Sequence, residues 1–418
     1  MRRTLRLCFA LQLCVLLAAQ KTPLDSPENL LLYRGIRDLL FRAFGDPGGG
    51  GRRFEAKREP NVQEEIPPSI PFPCNVTGGR SSNVPDSVHR LRPGDIDVIG
   101  AMGDSLTAGF GVFATSLFEM SIENRGVTAS AGGQGTWRTY LTLPNILKEF
   151  NPNLIGYALG DSLSTHFASQ LNVAEVGAMS RDMPFMAMHL VKKIKNDPRI
   201  DLKKHWKLIS LMIGSNDFCS EMCSIPSAWS ILEAHRVDLV KTLRIIRDNL
   251  PRTLLILHMP PHLSSLVNTR KGRIPSLMCY TMTTIECACL FSLQYQDLIP
   301  EYYEIMRRWQ ALEEEVANHS EFHTNDFTVV VVPILKRTLI PAASDGLTDL
   351  SYLSSDCFHV TQKANARYGN GIWNNLLEPF GNKSEAWLPA YKKFLCPTPE
   401  RPFLVTRENS WKNNEVSQ

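Results

Sequence analysis

The stretch Asp97-Val-Ile-Gly-Ala-Met-Gly-Asp-Ser-Leu-Thr-Ala-Gly-Phe-Gly111 decides the fold. It opens on an apolar run, Asp97 to Met102, that reads as a buried strand. Gly103-Asp104-Ser105-Leu106 then puts a serine where the chain leaves that strand, and the small residues of Thr107 to Gly111 permit a sharp turn into a helix. A nucleophilic serine needs such neighbours, because its own backbone N–H must face the oxyanion that develops on a substrate carbonyl.

Four further apolar runs recur downstream, at Leu171–Glu175, Leu208–Ile213, Thr253–His258 and Phe327–Val332. Helical patterns at Asp182–Lys195, Ala228–Asp248 and Tyr302–Ala317 lie between runs. Alternation of this kind predicts an α/β chain with a central parallel sheet and helices on both faces. In such sheets the site lies beyond the carboxyl ends of the strands, where the polar motifs of this sequence fall.

A serine nucleophile requires a base and a group to orient that base. Asp356-Cys-Phe-His359 supplies both on one short loop, so the expected triad is Ser105, His359 and Asp356. Gly160-Asp-Ser162-Leu repeats the tetrapeptide, but it lacks the glycine-rich continuation and runs into Thr165-His166-Phe167. Ser162 therefore reads as a plain turn, with no role for His166. For the oxyanion, Ser105 contributes its own N–H, and a second donor is expected from a glycine at a turn. Gly177 in Asn172-Val-Ala-Glu-Val-Gly177 and Gly133 in Ala-Gly-Gly133-Gln-Gly both qualify. Asn216, closing the strand in Gly214-Ser-Asn216-Asp217, can aim a side-chain amide at the same point, and Asp217 is expected to order that loop.

The 418 residues carry a formal charge of +3 with acids and bases interspersed, which excludes a nucleic-acid footprint. Residues 1–20 have an Arg-rich start, an apolar centre and small residues at Ala18 and Ala19, the pattern of a secretory signal peptide. The expected protein is therefore secreted. Eight cysteines remain after residue 20, an even number that favours disulfides over metal ligands, with Cys74–Cys396 expected to clasp the two ends of the body. Asn75, Asn318 and Asn382 stand in glycosylation triplets. Residues 21–70 read as an amphipathic helix, Ser26 to Phe44, and a linker containing Gly48–Gly51 and the dibasic Arg52-Arg53. They form either a tethered accessory helix or a removable pro-segment. The folded body is placed at 71–399 and a polar tail, with no hydrophobic end for a lipid anchor, at 400–418.

GDSLT at the first strand, NVAxxGA at the second, GSND at the third and DCFH near the end resemble the four blocks of the SGNH, or GDSL, hydrolase superfamily. Arg125-Gly, Leu143-Pro-Asn-Ile-Leu147 and Ile372-Trp-Asn-Asn-Leu-Leu-Glu-Pro379 narrow the resemblance to one repeat of the animal membrane-associated phospholipase B family. The resemblance implies a three-layer α/β/α, flavodoxin-like fold and a serine esterase without cofactor or metal. Its implied partners are phospholipids or lysophospholipids met at a membrane or micelle surface. It also implies Gly177 rather than Gly133 as the oxyanion glycine. Residues between Phe110 and Gln170 would then form an insertion near the site, expected to wall an acyl-binding surface. Lys363-Ala-Asn365 departs from the family's usual Gly-His, so a different packing is expected there. Carbohydrate acetyl esters or simple lipid esters, retinyl esters included, are alternative substrates, and a lipid-binding protein without turnover is the non-enzymatic alternative.

Overall fold

The computed structural model describes residues 27–45, 60–269 and 277–410; the expected signal peptide and the dibasic pair lie outside them. Strands β1 (Ile96–Gly103), β2 (Trp206–Met212), β3 (Thr253–His258) and β4 (Phe327–Val332) form one parallel sheet in that order. The helices, in chain order, are α1 (Pro27–Phe44), α2 (Ser105–Ala108), α3 (Leu143–Phe150), α4 (Met183–Asn196), α5 (Ser230–Asn249), α6 (Ser264–Asn268), α7 (Leu277–Glu286), α8 (Ala288–Phe291), α9 (Ile299–Ala317) and α10 (Gln362–Leu377).

Both faces of the sheet are buried, so its strands are mostly apolar instead of alternating regularly with polar residues. Leu208, Leu254, Ile256 and Val330 pack against α3 and α10 through Ile146, Leu147, Ile372 and Trp373. Their strand neighbours Ile209, Leu211, Leu255 and Val329 face the other way, onto Leu190 of α4, Leu239 and Leu243 of α5 and Leu312 of α9. The result is the expected three-layer α/β/α arrangement.

One expected strand is not regular. Leu171–Glu175 lies parallel to β1 and bonds to it, Ala101 N–H to the Leu171 carbonyl at 3.0 Å and Val173 N–H to the Ala101 carbonyl at 2.9 Å, but forms only a bridge at Asn172. The lower half of the same edge is occupied by Ile155, which bonds to Ile99 and Asp97. Two short segments therefore share the edge. Counting the upper one as the second strand, the order is 2-1-3-4-5, which places the topological switch point at the carboxyl end of β1.

All eight cysteines beyond residue 20 are paired, as Cys74–Cys396, Cys219–Cys287, Cys223–Cys289 and Cys279–Cys357. The first closes the body as expected. Helix α1 docks through three of its charged residues: Arg34 and Arg37 meet Glu175, Arg37 also meets Glu123, and Asp38 meets His166 at 3.0 Å. His166, expected to have no role, thus seats α1. Among the described residues no helix is long and apolar enough to cross a membrane.

Candidate active site

β1 ends at Gly103 with φ +153°, and a Cβ there would meet the Met212 carbonyl at 2.5 Å and the Thr107 hydroxyl at 2.6 Å. Only glycine lets the chain leave the strand at this angle. Asp104 then caps α2, its Oδ1 accepting the Leu106 N–H at 3.0 Å, and Ser105 becomes the first residue of the helix. At that position the backbone N–H has no partner within the helix and points out of its end.

The DCFH loop meets this serine from the other side. His359 Nε2 lies 2.8 Å from Ser105 Oγ, and His359 Nδ1 lies 2.6 Å from Asp356 Oδ2. Asp356 Oδ1 accepts the backbone N–H groups of Phe358 and His359, both at 3.0 Å. Cys357 turns the loop in the left-handed region at φ +59° and is anchored through its disulfide to α7. The imidazole sits between Phe110 and Phe358, at ring-centroid distances of 5.0 and 5.1 Å.

Electrostatics fit a base held by an ionised acid. Burial alone would push the His359 pKa down, but the Asp356 carboxylate, helped by Glu286 and Asp104, outweighs it and leaves the pKa raised. Burial opposes ionisation of Asp356 as well, yet the His359 contact and two backbone N–H bonds hold its pKa below the ordinary carboxylate value. Asp104, fully buried and with Oδ2 lacking a hydrogen-bond partner, is pushed up to about 6 by burial. Among the described residues, the group of acidic and imidazole side chains close enough together to hold a metal ion is Glu286, Asp356 and His359. Both ring nitrogens of His359 already have partners, Asp356 and Ser105.

Of the two candidate oxyanion glycines, Gly133 has its N–H committed to the Ala158 carbonyl at 2.9 Å. Gly177 sits in a turn at φ +82°, and the next residue, Ala178, accepts a hydrogen bond from Asn216 Nδ2 at 2.8 Å. Asn216 and Ser105 line the same cleft. Asp217 accepts the Ser180 N–H, which ties its loop to the segment after Gly177, and burial pushes its pKa up to about 8. Ser162 is fully buried, and its hydroxyl donates to the Gly160 carbonyl at 3.1 Å, as a turn residue would. Asn75 and Asn382 are exposed, whereas the Asn318 amide donates to the Glu314 carbonyl at the end of α9.

The expected wall between Phe110 and Gln170 is not what lines the cleft beside Ser105. Its apolar lining comes from Leu263 and Leu266, from Leu335 and Ile340 beyond β4, and from Leu353 and Phe358 of the triad loop region. The cleft has a volume of about 850 Å³, open mouth included. Phe110 is the insertion's contribution, against His359. Part of the insertion packs on the sheet through α3, and its Arg125 braces the second-strand segment: fully buried, it pairs with Glu123 and donates to the carbonyls of Ser162, Asn172 and Ala174. The Lys363–Asn365 departure is absorbed in α10, where Asn365 Oδ1 accepts the Ala129 N–H at 3.0 Å.

Residues 99–372 match the family of GDSL-like lipases and acylhydrolases. The chain belongs to that family. Membership makes this GDSL-family chain a carboxylic ester hydrolase by class. "Phospholipase B1, membrane-associated" of Rattus norvegicus is 38% identical over 333 residues, 79% of this chain and 22% of its own length. The Homo sapiens protein of the same name is 38% identical over 336 residues, with the same two shares. The GDSL chain therefore spans about a fifth of the length of these relatives, as a single repeat would. Among solved structures, an extracellular lipase from Streptomyces rimosus superposes with a TM-score of 0.32 at 13% identity, over 66% of this chain and 98% of that one. At that score the family assignment rests on the sequence match alone.

Proposed function

We propose that this chain is a secreted serine esterase that removes acyl chains from glycerophospholipids and lysophospholipids. Ser105 Oγ attacks the ester carbonyl while His359 Nε2 takes its proton, and Asp356 holds the imidazole and offsets its charge. The oxyanion is received by the N–H groups of Ser105 and Gly177 and by Asn216 Nδ2. His359 then gives the proton to the departing alcohol, and water, activated by the same imidazole, releases the fatty acid from Ser105.

The observation that carries the lipid reading is the cleft. Ser105 and Asn216 line a space whose other walls are mainly apolar and aromatic side chains, leucines above all, which suits an acyl chain better than an acetylated sugar. The printed name of the relatives favours phospholipids, met transiently at a membrane or micelle surface. The signal-like residues 1–20 and four disulfides favour an oxidising, extracellular compartment, and the exposed Asn75 and Asn382 favour glycosylation there.

The test is a screen of the purified protein on phosphatidylcholine, lysophosphatidylcholine, retinyl esters and acetylated sugars. Release of fatty acid from both phospholipids is expected. Ready release of acetate with none of fatty acid would leave a serine esterase but overturn the phospholipase reading.

A further inference from the structure

Glu286 ends α7 with a carboxylate oxygen within 4.8 Å of ligand atoms of both Asp356 and His359. Two carboxylates thus flank one imidazole, although only Asp356 lies within hydrogen-bond distance of the ring. The placement is enforced covalently. Cys279 of α7 is bonded to Cys357, inside the Asp356–His359 loop, and Cys287, directly after Glu286, is bonded to Cys219, three residues beyond Asn216. One short helix is therefore fastened at both ends to the two loops that carry the base and the oxyanion donor.

Holding a carboxylate there has a cost. Burial raises the Glu286 pKa, and the Asp356 charge raises it further, while only His359 favours the anion. The compensating gain arises when the imidazole is charged, which in this chemistry is the moment Ser105 attacks.

We propose that Glu286 is a positioning residue for the reaction, a second carboxylate that stabilises the imidazolium of His359 through space. The inference rests on the reading of Ser105 as nucleophile and His359 as base. The Ser105 proton moves to Nε2 and later to the leaving alcohol; Glu286 neither takes nor gives it. Three charged groups act on His359: Asp356 on its own loop, Glu286 from α7 and Asp104 at the junction of β1 and α2.

The experiment follows covalent labelling of Ser105 by a fluorophosphonate, together with kcat/KM on a small nitrophenyl ester, across pH in the full chain. The variants are Glu286→Gln, which keeps the volume, and Glu286→Asp, which keeps the charge. Reaction requires neutral His359, so both rates rise with pH through its pKa; removing an anion lowers that pKa. Glu286→Gln should therefore move the acid limb to lower pH and slow the plateau roughly three- to tenfold, on the scale of modest electrostatic support of a general base. Glu286→Asp should keep the limb near its wild-type position. A limb unmoved in Glu286→Gln, or moved equally in Glu286→Asp, overturns the proposal and leaves Glu286 a packing residue of α7. Absence of labelling in the wild type, or labelling that survives Ser105→Ala, is a different result: it removes the esterase reading, and this inference falls with it.

Discussion

The side-chain amide of Asn216 donates to the backbone carbonyl of Ala178 at 2.8 Å, joining the loop after β2 to the turn that contains Gly177. An amide nitrogen carries two hydrogens, so committing one sets the direction of the other. Asn216→Ala should lower turnover by roughly two to three orders of magnitude, the usual loss for one oxyanion donor, while Ser105 still reacts with a fluorophosphonate. A wild-type turnover number would remove Asn216 from the site.

Ser105→Ala should abolish hydrolysis and leave the yield of folded protein and its melting temperature nearly unchanged, since it deletes one oxygen and no core volume. Ser162→Ala should do the reverse, keeping activity and losing about 1 kcal/mol for a buried hydroxyl bonded to Gly160. Assaying ester turnover and thermal unfolding on both variants separates the two copies of the tetrapeptide; activity lost only in the second would reverse the assignment.

Asp104 gives a pH signature in stability. Its folded pKa of about 6 exceeds the ordinary 3.8, so between those values the folded chain keeps a proton that the unfolded chain has released. Stability therefore falls as pH rises through that window and stays lower above it. Asp104→Asn, which retains an acceptor for the Leu106 N–H, should stabilise the protein by about 1–3 kcal/mol at pH 7.5 and by little at pH 4. Urea unfolding at the two pH values measures this, and equal gains at both would contradict it.

Arg125→Ala should destabilise by roughly 3–5 kcal/mol, because it strips a buried Glu123 of a partner and frees three backbone carbonyls. The edge segment that carries Asn172 and leads to Gly177 should loosen with it. Hydrogen exchange should show faster exchange at Val173 and Glu175, whose N–H groups bond to β1. Protection unchanged from wild type would place the brace elsewhere.

Leu266 and Ile340 line the cleft from two separate segments. Trimming either to alanine removes three carbons, of which about two would touch the acyl chain. At about 0.8 kcal/mol per CH₂ in contact with substrate, kcat/KM on long-chain phosphatidylcholine should drop roughly tenfold. Rates on nitrophenyl acetate should stay close to wild type. Equal losses on both substrates would mean that the acyl chain lies elsewhere.

Much of the fold and site was legible because the decisive features are local. A strand buried on both faces reads as a mostly apolar run, a glycine must stand where β1 ends, and an acid three residues before a histidine can share its loop. The irregular second strand was not legible. Whether Leu171–Glu175 completes a ladder depends on Ile155 taking half of the same edge and on Arg125 taking the Asn172 and Ala174 carbonyls from a distant segment. The cleft was misplaced for a similar reason. Leu263, Leu335 and Leu353 are indistinguishable from core residues in sequence, whereas the aromatic and glycine-rich insertion looked like a wall and instead supplies core packing through α3 and a brace through Arg125. Glu286 gave no signal, being one glutamate at the end of a helix.

What the residues determined unaided is the alternation of strand and helix, the backbone freedom at Gly103 and the chemical identities of Ser105, Asn216, Asp356 and His359. These depend on interactions within a few positions of chain. Only the tertiary structure decided how the six cysteines other than Cys74 and Cys396 pair, and that the Gly133 N–H is committed to Ala158. It alone decided also which apolar residues face the cleft, and that a second carboxylate stands beside the imidazole. Each of these depends on groups more than twenty residues apart, whose meeting is set by how three layers pack and is not encoded in any single segment.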